Sequence, residues 1–207
     1  MDTLQRHDHW QTVFRSKGER DVSWFQERPD VSLEMIAATG VGREAAIVDI
    51  GGGASRLVDA LVAEGFAHVS VLDISEAALE TVRARLGGQG ANVQWIVADV
   101  TRWQPAQSYD VWHDRAAFHF LTSADDRAAY GEGVRQAVRP GGHVIIATFA
   151  LDGPERCSGL PVMRHDAASI GMVLGAAFQL IESRRHDHRT PGGAVQRFQF
   201  SRFQRAA

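Results

Sequence analysis

The hydrophobic positions of this chain alternate between short continuous runs and spaced stripes. Ala46–Ile50 (AIVDI), Val69–Ile74 (VSVLDI), Val93–Val97 (VQWIV), Tyr109–Trp112 and His143–Phe149 (HVIIATF) are brief β-branched or aromatic runs, and they predict five strands. Between them the period lengthens to that of a helix. Leu57, Val58, Leu61 and Val62 share one face, and Leu79, Val82 and Leu86 share another. Ser75 is placed to cap the second of these helices, which Gly87, Gly88 and Gly90 stop. Ser123 followed by Asp126 resembles a capping box and opens a helix running to about Val138. Arg139-Pro140-Gly141-Gly142 then reads as a turn.

The tail is different. Phe178–Arg185 and Val195–Phe203 read as strands with no helix between them, so they pair antiparallel across the Pro191-Gly192-Gly193 loop. The first 40 residues do not follow the strand–helix rhythm. They hold Trp10, Phe14, Trp24 and Phe25, then a helix over Ser32–Thr39, and read as a cap over the first glycine loop. The pattern predicts an α/β fold: a seven-stranded, mostly parallel sheet with helices on both faces and a C-terminal antiparallel β-hairpin. One domain is expected over residues 1–207. Residues 1–44 form a helical cap, 45–150 the cofactor-binding core, and 151–207 a substrate-side loop with the terminal hairpin.

Composition narrows the function classes. The 207 residues carry a formal net charge of -3, so nothing in bulk draws the chain to nucleic acid or to an anionic membrane surface. Lys17 is the only lysine, which leaves lysine chemistry one candidate. Cys157 is the only cysteine, so an intramolecular disulfide and a multi-cysteine zinc site are both excluded. No apolar run has the length of a membrane span, and the polar start lacks the apolar core of a secretory signal. The expectation is a cytoplasmic protein without nucleic-acid or membrane partners and without a metal site. His186 and His188, two apart on a strand, could share a face, but a third ligand is missing and a solvated loop is the better reading.

Three segments carry chemistry. Asp49-Ile50-Gly51-Gly52-Gly53-Ala54-Ser55-Arg56 joins a strand to a helix through glycines that let a ligand approach the backbone. Read as G-x-G-x-x-G, it puts Arg56 at the third glycine, which is too bulky for the dinucleotide loop and counts against NAD. Asp73 ends the second strand 20 residues after Gly53, where a carboxylate can accept from both ribose hydroxyls. Asp99, after the third strand, can accept from an adenine amine; its alternative is a turn-initiating role before Thr101.

The order DIGGGAS, LDIS, ADV, YDVWHDRAAFHFL and RPGGHVIIATF resembles class I, Rossmann-like S-adenosylmethionine-dependent methyltransferases over about residues 45–150. The N-terminal HWQTVFRSKGERDVSWFQ also looks like the cap of a branch containing citrate-synthase-type and elongation-factor lysine methyltransferases. That branch often has Asp-Lys-Gly after strand four, where this chain has Asp114-Arg115-Ala116. The resemblance implies S-adenosylmethionine as cofactor. It implies that Asp49 and the Gly51, Gly52 and Gly53 backbone hold the methionine end. It gives the ribose to Asp73, adenine packing to Ile74, the adenine edge to Asp99 and the Val100 amide, and a place facing the transferred methyl to Asp114. The terminal hairpin fits the family's inserted seventh strand.

Methyl transfer from a sulfonium is an in-line displacement that gains much of its rate from alignment. Amine and hydroxyl acceptors also benefit from a base. Asp114 and His119 are the expected catalytic residues, with His119 as base; its alternative is a buried histidine between Phe118 and Phe120. Trp10 and Trp24 are expected over the cofactor, or equally as packing for the cap. The expected activity is methyl transfer to a small-molecule acceptor. The alternatives are a protein lysine acceptor and a non-catalytic cofactor-binding protein. The oligomeric state and the role of Cys157 are not readable from the sequence.

Overall fold

The computed structural model describes residues 3–207, and its framework follows from the runs and stripes above. Five parallel strands, β1 (Ala46–Ile50), β2 (His68–Asp73), β3 (Gln94–Val97), β4 (Tyr109–Arg115) and β5 (Val138–Phe149), lie in the order β3-β2-β1-β4-β5. The hairpin β8 (Phe178–Arg189) and β9 (Val195–Arg205) completes a seven-stranded sheet, with β9 antiparallel beside β5 and β8 on the edge. The expected fold class is what the chain adopts.

Helices cover both faces because each parallel crossover needs one and each carries an apolar stripe to bury. α2 (Asp30–Ala37), α3 (Leu57–Ala63) and α4 (Glu76–Leu86) pack Leu33, Leu57, Leu61 and Val82 against Ile47, Val111 and Ile145 on one face. α5 (Ala124–Ala137) and α6 (Ala167–Leu174) pack Tyr130, Val134, Ile170 and Leu174 against Val48, Trp112 and Ile146 on the other. Ser75 caps α4 by accepting from the Ala78 amide, as its position predicts. Ser123 likewise accepts from the Asp126 amide, while the Asp126 carboxylate turns instead to Arg6 on α1 (Thr3–Ser16).

Three elements differ from the sequence reading. β4 continues past Trp112 through the polar His113-Asp114-Arg115, because pairing with β1 and β5 on both sides satisfies its backbone. β5 starts at Val138, and its regular ladder with β4 resumes at His143 after the left-handed Gly141. The segment after β5, expected as a loop, contains α6, whose Asp166 N-cap and Ser169 exchange hydrogen bonds as a capping box. It also holds a two-strand ladder, β6 (Arg156–Cys157) with β7 (Leu160–Pro161). Ser158 and Gly159, both at positive φ, make the tight turn between them. Among the described residues no helix is long and apolar enough to cross a membrane.

Candidate functional site

The strand order reverses between β1 and β4, and a parallel sheet opens a crevice at that point outside its carboxyl ends. The glycine loop lies there. Gly51 has φ +62°, and a Cβ on it would stand 2.6 Å from the Ala117 Cβ, so only glycine fits. Gly52 donates its amide to the Leu72 carbonyl, and Gly53 lies against the Phe14 ring of α1.

α1 crosses the crevice as a cover. Its buried Gln11 accepts from the Ser75 hydroxyl and from the Ala77 amide, the latter at 3.0 Å, and so joins α1 to the start of α4. Trp10 meets Phe120 edge to face at 4.9 Å and Trp24 at 5.9 Å, and Phe14 meets Trp24 at 6.2 Å. Beneath this aromatic roof are two adjoining cavities that share Trp10, Gly51, Ile74 and Phe120 as walls. One, of about 460 Å³, runs along Ala98, Asp99 and Val100 at the end of β3. The other, of about 490 Å³, reaches past Asp73 to Trp24, Arg115, Ala116 and Cys157. A third opening touches Asp49, all three loop glycines and Arg115.

The acids differ in state. Asp73 is 5% exposed and accepts from the Ser75 amide at 2.8 Å. Burial pushes its pKa up to about 7, against the pull of the Ser75, Gly53 and Ile74 amides, and the charge of Asp49 adds to the rise. This desolvated carboxylate sits in the cavity wall. Asp99 is the opposite case. Burial alone would raise it, but hydrogen bonds from Thr101 and Thr3 and the Arg6 charge hold it below the ordinary carboxylate value. Asp49 is buried with Oδ1 2.7 Å from His113 Nδ1, and His113 Nε2 is 2.9 Å from the Ser32 hydroxyl. His113 therefore fixes Asp49 to α2.

The structure turns both expected catalytic side chains away from the cavities. Strand alternation sends Asp114 to the Trp112 face. There it is fully buried, accepts from the Ala117 and Phe118 amides, and accepts from the Tyr130 hydroxyl at 2.8 Å. Burial raises its pKa to about 6. His119 is also fully buried, receives the Phe149 amide on Nδ1 at 3.4 Å, and has no partner at Nε2. Burial lowers its pKa to about 3, so it is a neutral ring behind the wall that Phe120 presents. Arg115, on the opposite face from Asp114, is the charged residue of β4 that reaches the cavity. Sequence reasoning passed over it, although its place at the carboxyl end of a central strand was a usable signal. Cys157 lies in the same wall, with burial pushing its thiol up to about 11. His186 and His188, expected in a solvated loop, lie on β8, which pairs with β9 as far as Arg189, and the buried His188 bonds the Ser23 carbonyl at 2.8 Å.

The donor set suits S-adenosylmethionine. A glycine loop at positive φ, a desolvated carboxylate at the end of β2 and an apolar slot past Ile74 match a methionyl tail, a ribose diol and a purine. Arg56 fits this better than a dinucleotide loop. Its guanidinium leaves the loop for Glu19 at 2.6 Å and Glu27 at 3.0 Å.

Comparison with known proteins agrees. Residues 47–142 match a family model described as a methyltransferase domain. The chain is 27% identical over 147 residues to a ubiquinone biosynthesis O-methyltransferase of Aeromonas salmonicida, covering 69% of this chain and 55% of that protein. It is 27% identical over 144 residues to EEF1A lysine methyltransferase 2 of Danio rerio, covering 66% of this chain and 62% of that protein. The chain thus spans about half the length of the first curated relatives it matches, or less. The N-methyltransferase NodS of Bradyrhizobium japonicum, solved with S-adenosylhomocysteine, superposes with a TM-score of 0.74 at 13% identity, over 97% of this chain and 100% of that one. Sequence motifs, sheet order and these likenesses converge, and the chain belongs to the class I, Rossmann-like family of S-adenosylmethionine-dependent methyltransferases.

Proposed function

We propose that this chain transfers the methyl group of S-adenosylmethionine to a small-molecule acceptor. The observation that carries the reading is the pair of adjoining cavities with Gly51, Ile74, Trp10 and Phe120 as shared walls. A cofactor lying across that wall would place its adenine in the smaller cavity and its sulfonium at the mouth of the larger.

In this reading Asp49 and the Gly51, Gly52 and Gly53 backbone hold the methionine end. Asp73 accepts from the ribose hydroxyls, which offsets the desolvation of its carboxylate. Ile74 packs on the adenine, Asp99 and Val100 line its edge, and Trp10 and Trp24 close over the bound pair. When bound, the cofactor supplies an electrophilic methyl group on a positively charged sulfur. What the chain adds is alignment and exclusion of water: the aromatic roof confines the acceptor in line with that methyl.

Asp114 and His119 act as positioning residues. Asp114 ties together the turn whose Ala116, Ala117 and Phe120 wall the cavities, and His119 supports that turn from behind. Among the described residues the one carboxylate of the larger cavity, Asp73, is given to the ribose and leaves no base beside the acceptor, so the acceptor is best matched to a nucleophile that ionises by itself near neutral pH.

The acceptor end is aromatic and carries the cation of Arg115. That environment opposes a lysine ammonium and favours a small planar molecule. Incubation with methyl-labelled S-adenosylmethionine and a cell extract, then separation into precipitable and soluble fractions, tests this. Label in a soluble compound, absent with D73A, is the expected result. Label in a protein band would overturn it and favour the lysine acceptor named for the Danio rerio relative. Cofactor binding without a labelled product would favour the non-catalytic alternative.

A further inference from the structure

Arg115 is an unusual cation. Its Nη1 donates to the Trp24 carbonyl at 3.0 Å, while its Nε and Nη2 are buried and have no hydrogen-bond partner. Among the described residues no carboxylate stands within ion-pair distance of it. The acid its charge feels, Asp49, spends Oδ1 on His113. Buried guanidinium donors without partners are costly, and a fold retains them where something else completes them. The two free groups are not an arbitrary pair. Nε–H and Nη2–H are the parallel donors on one edge of the guanidinium, the fork that matches the two oxygens of a carboxylate.

The position of the fork selects its ligand. The guanidinium lies over the Phe198 ring of β9, 5.0 Å from its centroid, in the cavity wall that also holds Cys157. Phe198 and Cys157 put it on the hairpin side of the larger cavity. Arg115 also borders the glycine-loop opening, but that side carries the carboxylates of Asp49 and Asp73, which suit donors such as an ammonium or hydroxyls. We propose that Arg115 is the anion-recognition residue of the acceptor pocket, and that the methyl acceptor is a small aromatic acid whose carboxylate takes the Nε and Nη2 fork. This rests on the methyltransferase reading and adds to it the chemical class of the substrate. Trp10, Phe14, Trp24 and Phe120 supply the aromatic walls for the rest of that molecule.

The test uses benzoate and its neutral isostere benzamide as probes, with the fluorescence of the cavity tryptophans as readout. Wild-type protein saturated with S-adenosylhomocysteine should bind benzoate at least tenfold more tightly than benzamide, and R115Q should abolish the preference. R115Q should leave the S-adenosylhomocysteine Kd within twofold. Equal binding of the two probes by wild type, or an undiminished preference in R115Q, overturns the proposal. So does a tenfold loss of S-adenosylhomocysteine affinity in R115Q with methylthioadenosine unaffected, because the fork would then serve the cofactor's carboxylate. R115K keeps the charge without the fork; should R115Q fail to fold, R115K must lower the preference below threefold. A wild-type protein that binds no S-adenosylhomocysteine would sink the cofactor reading separately, and the benzoate preference of the free protein would still decide the role of Arg115.

Discussion

Replacing Asp73 by Asn should stabilise the free protein and destroy its cofactor site, and the size of the first effect can be worked from burial. In the folded chain the Asp73 carboxyl holds its proton up to about pH 7, whereas the ordinary value is 3.8. Between those limits the folded state binds more protons than the unfolded one, so the Asp73 contribution to stability falls as pH rises. It is fully present below pH 3.8 and lost by about pH 7. At roughly 1.4 kcal/mol per pH unit, the loss amounts to about 4 kcal/mol. D73N carries neither the proton nor the charge and escapes it. The Asn carbonyl oxygen can still accept from the Ser75 amide, but the second oxygen beside Gly53 is lost, which returns about half of the gain.

The net expectation is about 2 kcal/mol in favour of D73N at pH 8, or roughly 4–8 °C in Tm for a domain of this size. At pH 5 the advantage should vanish. Thermal melts of both proteins at half-unit steps from pH 5 to pH 8 measure the difference, which cancels every other titrating group. Saturating S-adenosylhomocysteine should then reverse the order. At a hundredfold excess over Kd it stabilises the wild type by about 2.7 kcal/mol and leaves D73N where it was. A Tm difference that stays flat from pH 5 to pH 8 would refute the burial argument. A D73N protein stabilised by the ligand as much as wild type would refute the placement of the ribose.

The same carboxylate makes cofactor affinity depend on pH: hydroxyl donors favour its ionised form, so the S-adenosylhomocysteine Kd measured by calorimetry should weaken up to about tenfold per pH unit below 7 and level off above it. G51A places a Cβ 2.6 Å from that of Ala117 on a backbone at φ +62°, and should cost about 3 kcal/mol in urea unfolding with cofactor affinity lost in parallel. Burial pushes the Cys157 thiol up to about 11 despite the nearby Arg115 charge, so its alkylation by iodoacetamide at pH 8 should be about two orders of magnitude slower in the native protein than in urea.

How much was legible in the sequence depends on which force placed each residue. The five parallel strands and α3 to α5 were legible because each buries one stripe, and burial imposes its period on the sequence. α6 was not, because its deep contacts reduce to Ile170 and Leu174 while Met172 points to solvent. The glycine loop, Asp73 and Asp99 were found at the crevice because their backbone geometry needs those residue types at those places. Gln11 was invisible, since a polar residue that fastens a cover has no period of its own. Asp114 and Arg115 show the limit most clearly. The family resemblance sets the Asp beside the reacting atoms, yet β4 extends three residues beyond its apolar run and alternation gives the cavity to Arg115.

Asp99 shows how the cover and the site constrain each other. A carboxylate offers about four acceptor positions. Oδ1 takes the Thr101 amide at 3.0 Å and the Thr101 hydroxyl at 2.8 Å; Oδ2 takes the Thr3 hydroxyl at 2.9 Å and Arg6 at 3.0 Å. All four are used, so an adenine amine reaching Asp99 must displace one of them. The Thr101 pair belongs to the turn that Asp99 initiates and is local. Arg6 is held by charge and by Asp126 at 3.1 Å as well. Thr3, a neutral donor in the first turn of α1, is the weakest of the four. Exchange of its hydroxyl for an adenine amine swaps one neutral hydrogen bond for another and adds little net affinity. On this accounting Asp99 would add little to the proposed adenine site, whose hold would fall to apolar packing against Ile74 and Val100. Asp99 instead keeps the α1 cover seated on the crevice before any ligand arrives.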